Sequence, residues 1–249
     1  VLTGDFNGDS KPDLAYSLTG LPLPGSGSGL YIQYGNGDGT FSAPVAVGGH
    51  VPGAPADNTL FGESAVGDFT GDGISDLANI DPAYDDTLFG QSSNTFSLGL
   101  NQPDSNNASF NFVAAGYFKT GRTGKQDLLV QEGINFIPYL NSGDGIHFTR
   151  MPALANPPPA SALQASQVFL TDLDGDGNAD AIVVYQNINA KPGNTNPNYP
   201  NQVFVWYGYG DGTFTPLKNV VNGRNEFVAA VADMNGDGLP DLVLSDGSV

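Results

Sequence analysis

An aspartate-rich loop of nine residues, followed at once by a short apolar run, recurs along this chain. Four copies are nearly intact: Asp5-Phe-Asn-Gly-Asp-Ser-Lys-Pro-Asp13, Asp68-Phe-Thr-Gly-Asp-Gly-Ile-Ser-Asp76, Asp172-Leu-Asp-Gly-Asp-Gly-Asn-Ala-Asp180 and Asp233-Met-Asn-Gly-Asp-Gly-Leu-Pro-Asp241. A degenerate fifth begins at Tyr117, between the second and third, so that successive copies are 63, 49, 55 and 61 residues apart. Self-similarity at such a period marks an array in which one supersecondary unit is repeated.

A second element recurs between the loops: Gly37-Asp-Gly-Thr-Phe41, Gly143-Asp-Gly-Ile-His-Phe148 and Gly210-Asp-Gly-Thr-Phe214, with Ser93-Asn-Thr-Phe96 as an eroded copy. Asp-Gly between apolar runs signals a hairpin, because glycine takes positive φ at little cost. Each unit therefore reads as four short strands rich in β-branched and aromatic residues. In the last complete unit these are 167–171, 181–185, 203–207 and 214–220. The expected fold is all-β: a β-propeller, or a fragment of one, made of four-stranded antiparallel blades. Blades are expected at about 1–47, 60–102, 109–154 and 166–221, with a half-blade at 226–249. That makes about four and a half blades in a single repeat domain, with an edge expected to pair with missing blades or with another chain.

Side-chain oxygens recur at loop positions 1, 3, 5 and 9. Alternate oxygens on a tightly wound loop suit a hard cation with many ligands, which points to calcium. The candidate ligands are Asp5, Asn7, Asp9 and Asp13; Asp68, Thr70, Asp72 and Asp76; Asp172, Asp174, Asp176 and Asp180; and Asp233, Asn235, Asp237 and Asp241. Backbone carbonyls at position 7 add Lys11, Ile74, Asn178 and Leu239. About four Ca²⁺ are expected. Glycine at position 6 permits the sharp turn, and Ser10 stands there in the first loop, where strain is expected. An EF-hand needs a Glu at position 12 and flanking helices, whereas position 12 here is Tyr16, Asn79, Val183 or Leu244 in strand-like runs. The competing reading, turns rich in Asp and Asn without metal, loses ground to four copies in register. The middle copy has lost its acids and carries Lys119, Arg122 and Lys125 instead. It is expected to hold no calcium, its cations standing either as a fixed replacement charge or as drift at a solvated loop.

The formal net charge is −18, from 26 acids against 8 bases, and thirteen of the acids lie in the four intact loops. Such a balance speaks against nucleic-acid binding, which needs basic patches. The chain has no cysteine and no apolar run long enough for a helical membrane span.

Catalysis finds little support. The two histidines, His50 and His147, lack the company of a general base or zinc site, and Asp85 and Asp86 are mere neighbours. Two carboxylates brought together from separate loops stay open as a hydrolytic pair. Aromatic candidates for sugar stacking are Tyr84, Tyr199, Tyr207 and Tyr209, while Trp206 is expected between blades. One glycosylation sequon occurs, Asn107-Ala-Ser109. The long polar connections 19–29 and 187–201 are either tolerated insertions or binding loops on a rigid scaffold.

Gly67-Asp-Phe-Thr-Gly-Asp-Gly-Ile-Ser-Asp-Leu77, the lead-in Leu60-Phe-Gly62 and the downstream Tyr34-Gly-Asn-Gly-Asp-Gly-Thr-Phe41 resemble FG-GAP/VCBS repeats, and the resemblance covers nearly the whole chain. Such repeats build integrin-α-type propellers, several lectins and modules of secreted bacterial surface proteins. The resemblance implies calcium in the loop between strands one and two, and seven blades more often than five. The resulting expectation is an extracellular, calcium-stabilised scaffold that recognises carbohydrate or protein and is more a binder than an enzyme. The alternatives are a propeller module of a secreted polysaccharide-degrading enzyme, or an architectural unit of a surface layer or filament.

Overall fold

The computed structural model describes residues 1–18, 29–47, 63–80, 84–91, 95–98, 102–103, 110–118, 125–144, 147–155, 163–187, 201–216, 218–224 and 228–244. Among the described residues every element is a strand, and the order is an antiparallel meander in each unit. Blade 1 runs β1 (Leu2–Gly4), β2 (Asp13–Leu18), β3 (Gly29–Gln33) and β4 (Val45–Val47). Blade 2 runs β5 (Glu63–Gly67), β6 (Asp76–Ile80), β7 (Tyr84–Gln91) and β8 (Thr95–Leu98), with β9 (Gln102–Pro103) also paired to β7. Blade 3 runs β10 (Phe110–Gly116), β11 (Asp127–Glu132), β12 (Asn135–Asn141) and β13 (Phe148–Arg150). Blade 4 runs β14 (Leu163–Thr171), β15 (Asp180–Asn187), β16 (Asn201–Trp206) and β17 (Lys218–Arg224). A two-stranded sheet, β18 (Val228–Ala232) and β19 (Asp241–Leu244), follows. This is the all-β, four-stranded-blade architecture expected from the repeats.

Strand edges differ from expectation where local chemistry intervenes. The fourth strand of blade 4 begins at Lys218, not at Phe214, which makes only an isolated bridge to Gly208. Pro216 lies between them and has no N–H to offer a ladder. Blade 1 repeats the pattern, with Phe41 bridged to Gly35, Pro44 next, and β4 only from Val45. The first strand of blade 4 starts at Leu163 and carries a bulge between Ala165 and Gln167.

The cores lie between successive blades, as propeller packing requires. Phe6, Ile32 and Leu77 join blades 1 and 2; Phe69, Ala78, Leu128 and Val130 join blades 2 and 3. The largest cluster joins blades 3 and 4 through Phe118, Leu129, Phe136, Val183, Phe204 and Trp206. Trp206 is 1% exposed and its indole N–H donates to the Ala155 carbonyl at 3.1 Å, so it packs between blades as the sequence suggested. Ile182, Val184, Val203, Val205 and Val228 carry the packing on to β18 and β19. The residue at loop position 2 anchors the first three junctions. Phe6, Phe69 and Phe118 are at most 1% exposed, whereas Met234 in the last loop is 58% exposed.

Candidate metal centres

The acidic loops join strands one and two of each blade and share one end of the blades with the Gly-Asp-Gly turns. The two are fastened together: the Gly35 N–H donates to Asp13 Oδ1 at 2.8 Å, and the Gly208 N–H to Asp180 Oδ1 at 2.9 Å.

All four intact loops wind in the same way. The first aspartate accepts N–H groups from positions 4 and 6 of its own loop, one on each oxygen. For Asp5 the donors are Gly8 and Ser10, both at 2.7 Å; for Asp68, Gly71 at 2.6 Å and Gly73 at 2.9 Å. For Asp172 they are Gly175 and Gly177, both at 2.8 Å; for Asp233, Gly236 at 2.6 Å and Gly238 at 2.9 Å. Positions 4 and 6 take positive φ throughout, and position 6 is glycine in every intact loop but one. Ser10 has φ 61°, and among the described residues no other non-glycine is positive. The strain expected there is present.

In the third loop the winding gathers oxygens of positions 1, 3 and 5. Ligand atoms of Asp172, Asp174 and Asp176 lie within 4.8 Å of one another. In the last loop Asn235 and Asp237 are joined directly, the Asn235 side-chain amide donating to Asp237 at 3.0 Å. In the first, Asp9 Oδ2 holds the Lys11 ammonium at 3.1 Å, on the exposed side of the loop. In the second, Thr70 Oγ1 is buried and has no hydrogen-bond partner.

Position 9 does something different. Asp180 is not in the group of three. Its Oδ2 accepts the Leu173 N–H at 2.8 Å while Oδ1 holds Gly208, so it latches the loop to the turn of its own blade. Asp13 does the same with Phe6 at 2.8 Å and Gly35, and Asp76 and Asp241 take the N–H of Phe69 and Met234 at 2.8 and 2.9 Å. Asp13, Asp76 and Asp180 are fully buried. Burial pushes the Asp180 carboxyl up to about 6; the charges of Asp174 and Asp176 add to the rise, and the Gly208 and Leu173 amides oppose it. Exposed Asp233 is the contrary case: the N–H groups of Gly238 and Gly236 hold it below the usual carboxylate range.

The degenerate loop keeps the latch and loses the rest. Asp127 Oδ2 accepts the Phe118 N–H at 3.0 Å and Oδ1 the Asn141 N–H at 2.7 Å, with Asp127 1% exposed. Of its three cations, Lys119 and Arg122 lie outside the described residues. The Lys125 ammonium donates to the Gly143 carbonyl and so ties the loop to the turn. This latch was missed at the sequence level, although its signal was there: Asp127 is the one acid common to all five copies.

The other candidates are dispersed. His147 is exposed and pairs with Asp144 at 2.6 Å within the Gly-Asp-Gly turn. Tyr209 is 60% exposed. His50, Tyr199 and the Asn107 sequon lie outside the described residues, as do the side chains of Tyr84, Asp85 and Asp86. No helix among the described residues is long and apolar enough to cross a membrane.

Comparison with known proteins agrees with this geometry. No curated protein matches the chain. Among solved structures, an Agrocybe aegerita lectin described for specific recognition of non-reducing terminal N-acetylglucosamine is 21% identical, with a TM-score of 0.57 over 88% of this chain and 51% of that one. The Photorhabdus luminescens Tc holotoxin pore is also 21% identical, with a TM-score of 0.51 over 98% of this chain and 10% of that one. This chain thus spans about half of the lectin chain and a tenth of the toxin chain, and both likenesses bear on the fold. The FG-GAP-like repeat model matches residues 4–79 and 193–244, a span that takes in three of the four intact loops in part or whole, and the chain belongs to the FG-GAP-like repeat family.

Proposed function

We propose that this chain is a calcium-stabilised, extracellular propeller module whose work is recognition of carbohydrate or protein. The observation that carries the calcium reading is the convergence of Asp172, Asp174 and Asp176 on a loop wound by its own backbone. The donor set is all oxygen, which suits calcium over transition metals. Thr70 Oγ1, buried without a partner at position 3 of another loop, is an acceptor that a cation would satisfy. Side chains at positions 1, 3 and 5 and the carbonyls of Lys11, Ile74, Asn178 and Leu239 would hold the ions. Bound calcium supplies charge compensation and cross-links a loop that otherwise closes on carboxylate–amide bonds alone.

The recognition reading rests on the propeller fold and the family, supported by the likeness to a carbohydrate-binding lectin. A fold hosts many functions, so the ligand needs direct test. A glycan array run in calcium, with product analysis on any hit, decides it. Binding without turnover supports the reading; turnover of a bound polysaccharide replaces it with the enzyme reading.

A further inference from the structure

The acid-poor loop of blade 3 faces the Asp68 loop of blade 2, and it grips it. Gln126, the residue before the latch Asp127, donates its N–H to the Asp68 carbonyl at 3.0 Å. Its side-chain Oε1 accepts the Asp68 N–H at 2.9 Å. Both polar groups of the Asp68 backbone are therefore held by one residue of the neighbouring blade. Asn141 completes the grip: its side-chain amide donates to the Phe69 carbonyl at 2.9 Å and to the Gln126 carbonyl at 3.1 Å.

Room for this clamp is built into the loop it holds. A Cβ on Gly67, just before Asp68, would lie 2.4 Å from Gln126 Oε1. The same pairing joins blades 1 and 2. The Ser75 N–H donates to the Asp5 carbonyl at 2.7 Å, Ser75 Oγ accepts the Asp5 N–H at 3.1 Å, and a Cβ on Gly4 would lie 2.9 Å from Ser75 Oγ. Where the gripped loop lacks acids at positions 1, 3 and 5, the side-chain half of the clamp is missing. Ala179 donates its N–H to the Tyr117 carbonyl at 2.9 Å and has no side-chain acceptor. In the last loop the corresponding residue is Pro240, which has neither donor nor side-chain acceptor.

We propose that Gln126 and Ser75 are positioning residues for the cation loops of the preceding blades, and that the acid-poor loop of blade 3 is retained as the clamp of the Asp68 site. The proposal rests on the calcium reading above. The first aspartate is the residue around which its loop winds, so fixing its peptide plane fixes where its carboxylate meets positions 3 and 5. The Asp172 loop, without a clamp, carries aspartate at position 3 where the others have Asn or Thr.

The test uses site-resolved amide resonances of Gly73 and Gly177, which report on the Asp68 and Asp172 loops, during calcium titration of the whole chain. Loss of one hydrogen bond from an organised site corresponds to an affinity change on the order of tenfold. Gln126→Ala is expected to weaken the transition at Gly73 by about that factor and to leave Gly177 unmoved. Gln126→Ser, which copies blade 2, restores it, and Gly67→Ala reproduces the loss by displacing the clamp. Unchanged Gly73 titration in Gln126→Ala, or equal weakening at both glycines, overturns the proposal. Hydrogen exchange in EDTA separates the clamp from the calcium reading. Faster exchange at Gly71 and Gly73 in Gln126→Ala, and not in Gln126→Ser, upholds the clamp even if calcium leaves every loop unmoved; unchanged exchange refutes it.

Discussion

The Asp172 loop and the loop that begins at Tyr117 occupy equivalent places in adjacent blades, yet they divide one structural job from another. The first has carboxylates at positions 1, 3, 5 and 9; the second keeps only the last. Both close the same way, with the ninth-position carboxylate holding the amide after position 1 and an amide of the Gly-Asp-Gly turn. The blade therefore needs the latch and not the other three acids. What positions 1, 3 and 5 add is a cluster of oxygens whose mutual repulsion is tolerated on the outer side of the loop. Oxygen-bearing side chains stand at positions 1, 3 and 5 in four of the five loops, and under the proposed calcium reading that is what those positions are for.

The largest effect that can break this comparison is metal removal. A ligand that binds only the folded state adds roughly 3–4 kcal/mol per site at 100–1,000 times Kd. EDTA is therefore expected to lower the melting temperature markedly, and calcium to restore it. An identical melting curve with and without chelator contradicts the reading.

Next come paired substitutions. Asp127→Ala strands two N–H donors in a buried site, each costing about 1–3 kcal/mol. Urea unfolding should show the same loss in EDTA and in calcium. Asp176→Ala should lose stability chiefly in calcium. If Asp127→Ala is calcium-sensitive, or Asp176→Ala is not, the division of labour fails.

Ser10→Gly relieves a left-handed backbone and is expected to stabilise by about 1 kcal/mol, read as a rise in the urea midpoint. A fall would mean that Ser10 makes a compensating contact.

The smallest effect concerns how blade 3, whose loop lacks acids at positions 1, 3 and 5, holds together. Arg150 donates to both oxygens of Glu132 at 3.1 and 2.8 Å, and Tyr139 hydrogen-bonds the same carboxylate. Burial would raise the Glu132 carboxyl, but Arg150 and Tyr139 outweigh it and hold it below its usual range. A depressed carboxyl stabilises the fold above its unfolded value and loses that contribution as pH falls through the folded one. Glu132→Gln should therefore cost about 1 kcal/mol at pH 7 and progressively less below about pH 4.5, with or without calcium. An equal cost at pH 3 contradicts the assignment.

Much of this fold was legible because the repeat ties local signals together. Asp-Gly turns, β-branched runs and the loop spacing all point to four-stranded blades, and the strands fall there. The expected start of the last strand of blade 4 moved at Pro216, which interrupts a ladder that composition alone extends through. The acidic loops were legible as a pattern of alternate oxygens. The latch made by position 9 was not legible, since a pattern of residue types does not reveal that Asp180 faces Gly208, 28 residues away. The clamp was hidden for the same reason: Gln126 and Asp68 are 58 residues apart, and only blade-to-blade packing brings them together.

The central claim is the count of ions and their places. Native mass spectrometry of the chain after calcium equilibration, repeated on Asp68→Ala, Asp172→Ala and Asp127→Ala, measures it directly. The account predicts four calcium ions on the unaltered chain, three on each of the first two variants, and four on folded Asp127→Ala. No bound calcium, or a fifth ion lost with Asp127, would contradict it.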